Sequence, residues 1–153
     1  MKLLLVQHGT AKSRDEDPER SLNDQGIRGT KKIAAWLGKQ PIDVAKILHS
    51  GKKRAEQTAA IFADRLAPPA GMKAVAGLAP NDDVLPLAER MSDEDAPVMI
   101  VGHLPFLARL TGLLLAGDPE HTLISFVNSG VVCLEKNDFT WSIAWIVVPE
   151  ILP

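Results

Sequence analysis

Lys2-Leu3-Leu4-Leu5-Val6-Gln7-His8-Gly9-Thr10 is a short, mostly apolar run that halts at a histidine and a glycine. Such a run, bounded by turn residues, reads as a buried strand. Two further apolar runs halt in the same manner. One ends at His49-Ser50, with Arg54 a few residues on; the other, Val98-Met99-Ile100-Val101, ends at Gly102-His103. In an open α/β sheet, ligands bind beyond the carboxyl ends of the strands. Three such ends bring His8, His103 and Arg54 to one place, which supplies the parts needed to bind a phosphoryl group and to accept it.

Working outward, the pattern predicts strands over 2–6, 44–49, 73–76, 97–102, 124–134 and 140–148. The last two form a hairpin across the polar turn Lys136-Asn137-Asp138. Helices are predicted over 24–39, 52–66, 82–91 and 104–116. The first repeats Ile27, Ile33, Ala34 and Leu37 near a 3.6 period, with Asn23 or Asp24 as its cap. The second carries Ala55, Ala59, Phe62, Ala63 and Leu66, and Pro68-Pro69-Ala70-Gly71 ends it. Pro86 falls inside the third helix and argues against it there. The fourth has Leu104, Leu107, Leu110 and Leu114 and stops near Gly117. Strands alternating with helices imply an α/β fold, a mostly parallel central sheet with helices on both faces. The charged segment 12–20, which carries Pro18, reads as a surface loop near the end of the first strand.

A chain of 153 residues fits a single domain, 1–153, with no repeat, linker or low-complexity segment. At this size folding buries roughly 68–70% of the unfolded chain's surface, enough for a real core. The 46% hydrophobic and 24% charged fractions are those of an ordinary soluble globular protein. A net charge of −2 argues against a general nucleic-acid binder. No apolar run approaches the ~20 residues needed to span a bilayer. The apolar N-terminus is too short for a signal peptide. A cytoplasmic protein with no membrane partner is the expectation. Cys133 lies in Val131-Val132-Cys133-Leu134 and is expected to be a buried small hydrophobe.

Gly9 lets backbone approach a ligand closely beside His8. Ser50-Gly51-Lys52-Lys53-Arg54-Ala55-Glu56-Gln57-Thr58 opens a helix after a strand. Such a helix start favours anions through its free N–H groups and dipole. Arg54 adds a planar fork of donors that suits phosphate oxygens, and Lys52 and Lys53 add positive potential. The bland alternative is a solvated basic helix start. Gln57 and Thr58 are expected to pack or hydrogen-bond within the protein. His49, inside a strand, and His121, in a polar loop, are expected to have no part in the site.

Taken together, these segments resemble the histidine phosphatase superfamily, the phosphoglycerate mutase-like fold, over nearly the whole chain. The family's Arg-His-Gly motif aligns with Gln7-His8-Gly9, and its Ser-x-x-x-Arg-Ala-x-Gln-Thr motif with Ser50 to Thr58. Its second histidine aligns with His103 in Val101-Gly102-His103-Leu104-Pro105. The short length, without an inserted cap domain, looks like the SixA-type phosphohistidine phosphatases. Arg20-Ser21-Leu22-Asn23-Asp24-Gln25-Gly26 is similar to their Arg-Pro-Leu-Thr-x-x-Gly segment, and Leu78-Ala79-Pro80-Asn81-Asp82-Asp83 to the segment after their third strand.

The resemblance implies a phosphatase in which neutral His8 attacks phosphorus and water then hydrolyses the phosphohistidine formed. Arg54 and His103 complete the catalytic set, and a protonated His103 would help most. The phosphate-binding set is Gln7, Gly9, Arg20, Arg54 and His103. The substrate is a phosphorylated protein or a small phosphorylated molecule. No cofactor or metal is expected.

Gln7 departs from the family. An arginine there would carry a charge, and a neutral donor is roughly half as strong as a charge-assisted one. Three readings follow. A nearby cation, one of Lys12, Arg14, Arg20 and Lys52, fills the gap; the enzyme is slow or selective for a different phospho-substrate; or the protein binds phospho-ligands without turning them over. Asp82 and Asp83 are the nearest candidates for a general acid, with helix capping as their ordinary alternative. The lack of an obvious acid favours phosphoramidate chemistry over sugar or alkyl phosphates.

Overall fold

The computed structural model describes all residues, Met1–Pro153. Its core is one sheet. β1 (Lys2–Gln7), β2 (Lys46–His49), β3 (Met72–Ala74), β4 (Val98–Gly102), β5 (Val131–Asn137) and β6 (Thr140–Val147) stand in the order β3-β2-β4-β1-β5-β6. The pairs β3/β2, β2/β4 and β4/β1 are parallel; β5 runs antiparallel to β1, and β6 to β5. The connections are α1 (Asp24–Leu37), α2 (Lys53–Leu66), α3 (Leu85–Asp93) and α4 (Phe106–Ala116), and a 3₁₀ turn (Pro149–Ile151) follows β6.

Alternation along β1 sets the layers. Leu3 and Leu5 pack on one face with Leu87 and Met91 of α3 and Phe106 and Leu110 of α4. Leu4 and Val6 pack on the other with Ile33 and Leu37 of α1 and Ala59 and Phe62 of α2. Because β1 and β4 are covered on both sides, their central residues are apolar without alternation, as parallel strands require. Cys133 is buried in the second layer, and burial pushes its thiol up to about 11.

Three predicted elements are displaced. The strand expected over 124–134 begins only at Val131. Asn128-Ser129-Gly130 makes a turn, with Gly130 N–H donating to Val127 O and Ser129 at φ 64°. The helix expected over 82–91 starts at Leu85, so Pro86 lies in its first turn, where no backbone N–H is needed. The fourth helix likewise starts at Phe106 rather than 104, with Pro105 as its cap residue. α1 is capped by Asn23, whose Oδ1 accepts from Gly26 N–H at 2.8 Å.

Candidate active site

The register of β1 on β4 pairs Gln7 with Gly102. The residues that follow, His8 and His103, therefore leave the sheet side by side. Their ring centroids are 5.0 Å apart and tilted by 53°. His8 N–H donates to Gly102 O at 3.0 Å, which fixes the two strand ends together. β2 flanks β4 and delivers Ser50 and the first turn of α2, with Arg54, to the same edge.

His8 has a determined tautomer. Its Nδ1 lies 2.7 Å from Gly9 O, and a carbonyl can only accept, so Nδ1 carries the proton. The lone pair of the neutral ring is then on Nε2. Burial holds the His8 pKa below its ordinary value, and the charges of Arg54 and Arg20 act the same way, against the raising effect of the Gly9 hydrogen bond. Asn128 Nδ2 donates to His8 O at 2.9 Å, and Gly9 N–H donates to Thr58 Oγ1 at 3.0 Å. A Cβ at Gly9 would stand 2.9 Å from both Gly26 O and Thr30 Oγ1, so this turn has no room for a side chain.

His103 is 1% exposed. Its Nε2 lies 2.6 Å from Ser50 Oγ, which also accepts from Lys52 N–H at 3.3 Å. Either atom can be the donor in the Ser50–His103 contact. Burial, then the neighbouring His8 and the cations Arg54, Lys52 and Arg20, hold the His103 pKa down to about 3. A ring so placed is neutral near pH 7 in the free site.

Three buried polar atoms in the protein lack a hydrogen-bond partner: Gln7 Oε1, Arg54 Nε and His103 Nδ1. An unpaired buried donor costs about 1–3 kcal/mol, and native proteins retain few such groups. That all three belong to this one strand edge marks it as a place prepared for a ligand. Arg54 Nε is a donor that an anion satisfies.

Arg20 reaches the site from the loop that follows His8. It sits at φ 51°, with Nε donating to Lys12 O at 3.2 Å. Asp17 holds the turn by accepting from Glu19 N–H, Ser21 N–H and the Ser21 hydroxyl. Gln57 Oε1 ties the loop to α2 by accepting from Leu22 N–H at 2.7 Å. Arg20 and Arg54 both line a cleft of about 570 Å³ together with Arg14, Lys52 and Lys53. Gln7 lies outside that cleft and borders a separate pocket of about 330 Å³ with Gln25, Asn128 and Ser129.

Asp82 and Asp83 stand in the turn before α3. Asp82 Oδ2 accepts from Ala79 N–H at 2.8 Å, and Asp83 Oδ1 from Leu85 N–H at 3.0 Å. His49 Nδ1 accepts from Gly51 N–H at 3.1 Å, while His121 is exposed beyond α4. No three His, Cys, Asp or Glu side chains are grouped so as to hold a metal. Asn128 and Ser50 touch the histidines; Ser50 opens the candidate segment Ser50 to Thr58 but had no role of its own there, and Asn128 was not singled out. The signal for Asn128 was the Asn128-Ser129-Gly130 turn triplet, which an apolar strand reading hides.

The model for the histidine phosphatase superfamily (branch 1) matches residues 3–78. The fold match carries the likeness through the rest of the chain. A solved structure of the protein histidine phosphatase SixA complexed with tungstate superposes with a TM-score of 0.86 at 25% identity, over 97% of both chains. The chain belongs to the histidine phosphatase superfamily.

Within that superfamily it is SixA-like. Phosphohistidine phosphatase SixA of Escherichia coli (strain K12) is 26% identical over 151 residues, 94% of each chain. An uncharacterized protein of Picosynechococcus sp. (strain ATCC 27264 / PCC 7002 / PR-6) is 32% identical over 89% of this chain and 86% of its own. A histidine phosphatase with glutamine before its first histidine lacks one charge at a strand end where two other cations, Arg54 and Arg20, bear on the ring. No helix is long and apolar enough to cross a membrane.

Proposed function

We propose that this protein is a phosphatase that takes a phosphoryl group onto His8 Nε2 and passes it to water, with phosphohistidine on a protein as its substrate class. The observation that carries the reading is the Nδ1–Gly9 O hydrogen bond, which leaves a neutral ring with its lone pair on Nε2. In the first step the Nε2 lone pair forms the N–P bond while the P–N bond of the substrate breaks. The leaving imidazole takes that electron pair and departs neutral when its other nitrogen is protonated. In the second step water forms the new P–O bond, and the electron pair of the P–Nε2 bond returns to His8. The proton that Nδ1 keeps, donated to Gly9 O, makes His8 a neutral leaving group in turn. Two displacements replace one difficult hydrolysis.

The remaining work is positioning and charge stabilisation. Arg54 Nε and, with the ring proton on Nδ1, His103 bind the equatorial oxygens, assisted by the start of α2. Arg20 supplies the cation that Gln7 lacks. Among the four cations considered, its charge alone bears on His8, Arg54 and His103 together; Arg14 bears on Arg54, and Lys52 on His103. Asp82 and Asp83 are occupied by backbone N–H groups, which favours a substrate whose leaving group needs no acid. The 26% identity to a phosphohistidine phosphatase points the same way.

A second reading is a phospho-binding module with little turnover. It is favoured by Gln7 Oε1, an unpartnered acceptor where the family places a donor. Release of inorganic phosphate from a histidine-phosphorylated protein and from an aryl phosphate separates the two. The phosphatase reading expects multiple turnovers on the former, at a kcat/KM well above that on the latter. Tight phosphate binding without multiple turnovers on either would establish the module instead.

A further inference from the structure

The cleft that adjoins the histidines is unusual in its lining. Five cationic side chains, Arg14, Arg20, Lys52, Lys53 and Arg54, face it with only Glu19 and Glu56 opposing them. The chain as a whole carries −2. Its about 570 Å³ exceeds what one phosphoryl group fills, and no hydrophobic side chain lines it. Arg20 and Arg54 serve the phosphoryl group, and Lys53 pairs with Glu56 at 3.8 Å. Arg14 and Lys52 remain. Both are exposed, and neither is in a salt bridge. They come from opposite banks, the loop after β1 and the start of α2. Arg14 and Arg20 are close enough that each lowers the Arg54 pKa. With only Glu19 and Glu56 against five cations, the cleft keeps a net positive charge.

We propose that Arg14 and Lys52 form a second anion subsite, which selects phosphorylated proteins carrying an acidic segment beside the phosphoryl group. The inference rests on the phosphatase or phospho-binding reading of the His8 site and adds the chemistry of the partner. Small-molecule sites are mostly apolar concavities with a few polar groups. A polar, cationic mouth fits a solvated acidic surface better. Complementary charge of this kind acts mainly on encounter and on partner choice, and it weakens with salt. The subsite raises affinity for the partner.

The test measures binding, so it holds whether or not turnover is fast. The probe is a fluorescein-labelled peptide with a phosphonate-bearing triazole in place of phosphohistidine, flanked by four glutamates. A control probe has four glutamines. Fluorescence anisotropy at low salt is expected to show tighter binding of the glutamate probe. The R14Q/K52Q variant is expected to lose about 5- to 10-fold in affinity for the glutamate probe, the sum of two exposed charge contacts. It keeps its affinity for the glutamine probe. Equal binding of the two probes by the parent protein overturns the proposal. So does an equal loss for both probes in the variant. If pyrophosphate instead competes through Arg14 and Lys52 while the glutamates add nothing, the cleft is a small diphosphate site and the acidic-segment reading is wrong. Loss of turnover with the glutamate preference intact would refute the phosphatase reading alone.

Discussion

Removing the Arg20 charge should slow the reaction severely, and an arginine placed at position 7 should then restore much of it. Arg20 is the one loop cation whose charge bears on His8, Arg54 and His103 together. Losing one preorganised contact to developing charge lowers rate on the order of 10²–10³. Arg20→Gln is therefore expected to lower kcat/KM on phosphohistidine protein by about that factor. In the parent, Gln7→Arg brings a new guanidinium up against Arg20 and Arg54, and the rate should stay flat or fall. In the Arg20→Gln background the same change should raise the rate about 10-fold or more, at least ~1.4 kcal/mol. The assay is a double-mutant cycle on phosphate release, with circular dichroism to confirm that each variant folds. A parent rate that rises 10-fold on Gln7→Arg, or an Arg20→Gln variant within 2-fold of the parent, would refute the reasoning. Either result would mean that no native cation covers for Gln7.

Other outcomes follow from the same geometry. Arg54→Ala should weaken tungstate or phosphate binding in calorimetry by about 10-fold or more, because hydrogen bonds to a charged group contribute about 1.5–3 kcal/mol; His121→Ala should leave it unchanged. Thr58→Val removes the acceptor for Gly9 N–H and should lower stability by about 1–3 kcal/mol in urea unfolding, with a loss of rate through misplacement of His8. His103 has a folded pKa of about 3 against an unfolded value near 6.5, so the unfolded chain binds more protons between those limits. Its contribution to stability is complete above the unfolded value and declines as the pH falls toward 3, by up to ~1.4 kcal/mol per pH unit. His103→Gln should flatten that part of the urea midpoint against pH, and an unchanged slope would show that the ring is not held neutral.

The sheet and its helices were legible because the apolar pattern along β1 and β4 is nearly continuous, and these runs and the shorter Ile47-Leu48 of β2 each end on a residue with chemistry. The gathering of His8, Arg54 and His103 at one sheet edge was legible for the same reason: strand ends converge. What could not be seen was hydrogen bonding at a distance. Asn128 touches His8 O across 120 positions of sequence, and Ser50 touches His103 across 53. The reading that carried a strand through 124–130 gave weight to Ile124, Phe126 and Val127 and missed the Asn128-Ser129-Gly130 turn. Pro86 misled in the opposite direction, since a proline at a helix start looks like a proline in its middle until Asp82 and Asp83 are seen in the turn before it. The neutral state of His103 was also out of reach, because burial, its largest cause, depends on packing by α4 and β4.

The central claim is that His8 Nε2 carries the phosphoryl group. Incubation with a ³²P-labelled phospho-donor, followed by an alkaline quench and peptide mapping, tests it directly. Label should be stable in base, lost in acid and located on the peptide containing His8; His8→Ala should abolish it while Gln7→Ala only reduces it. Label that persists in His8→Ala, or that maps to His103, would contradict the account.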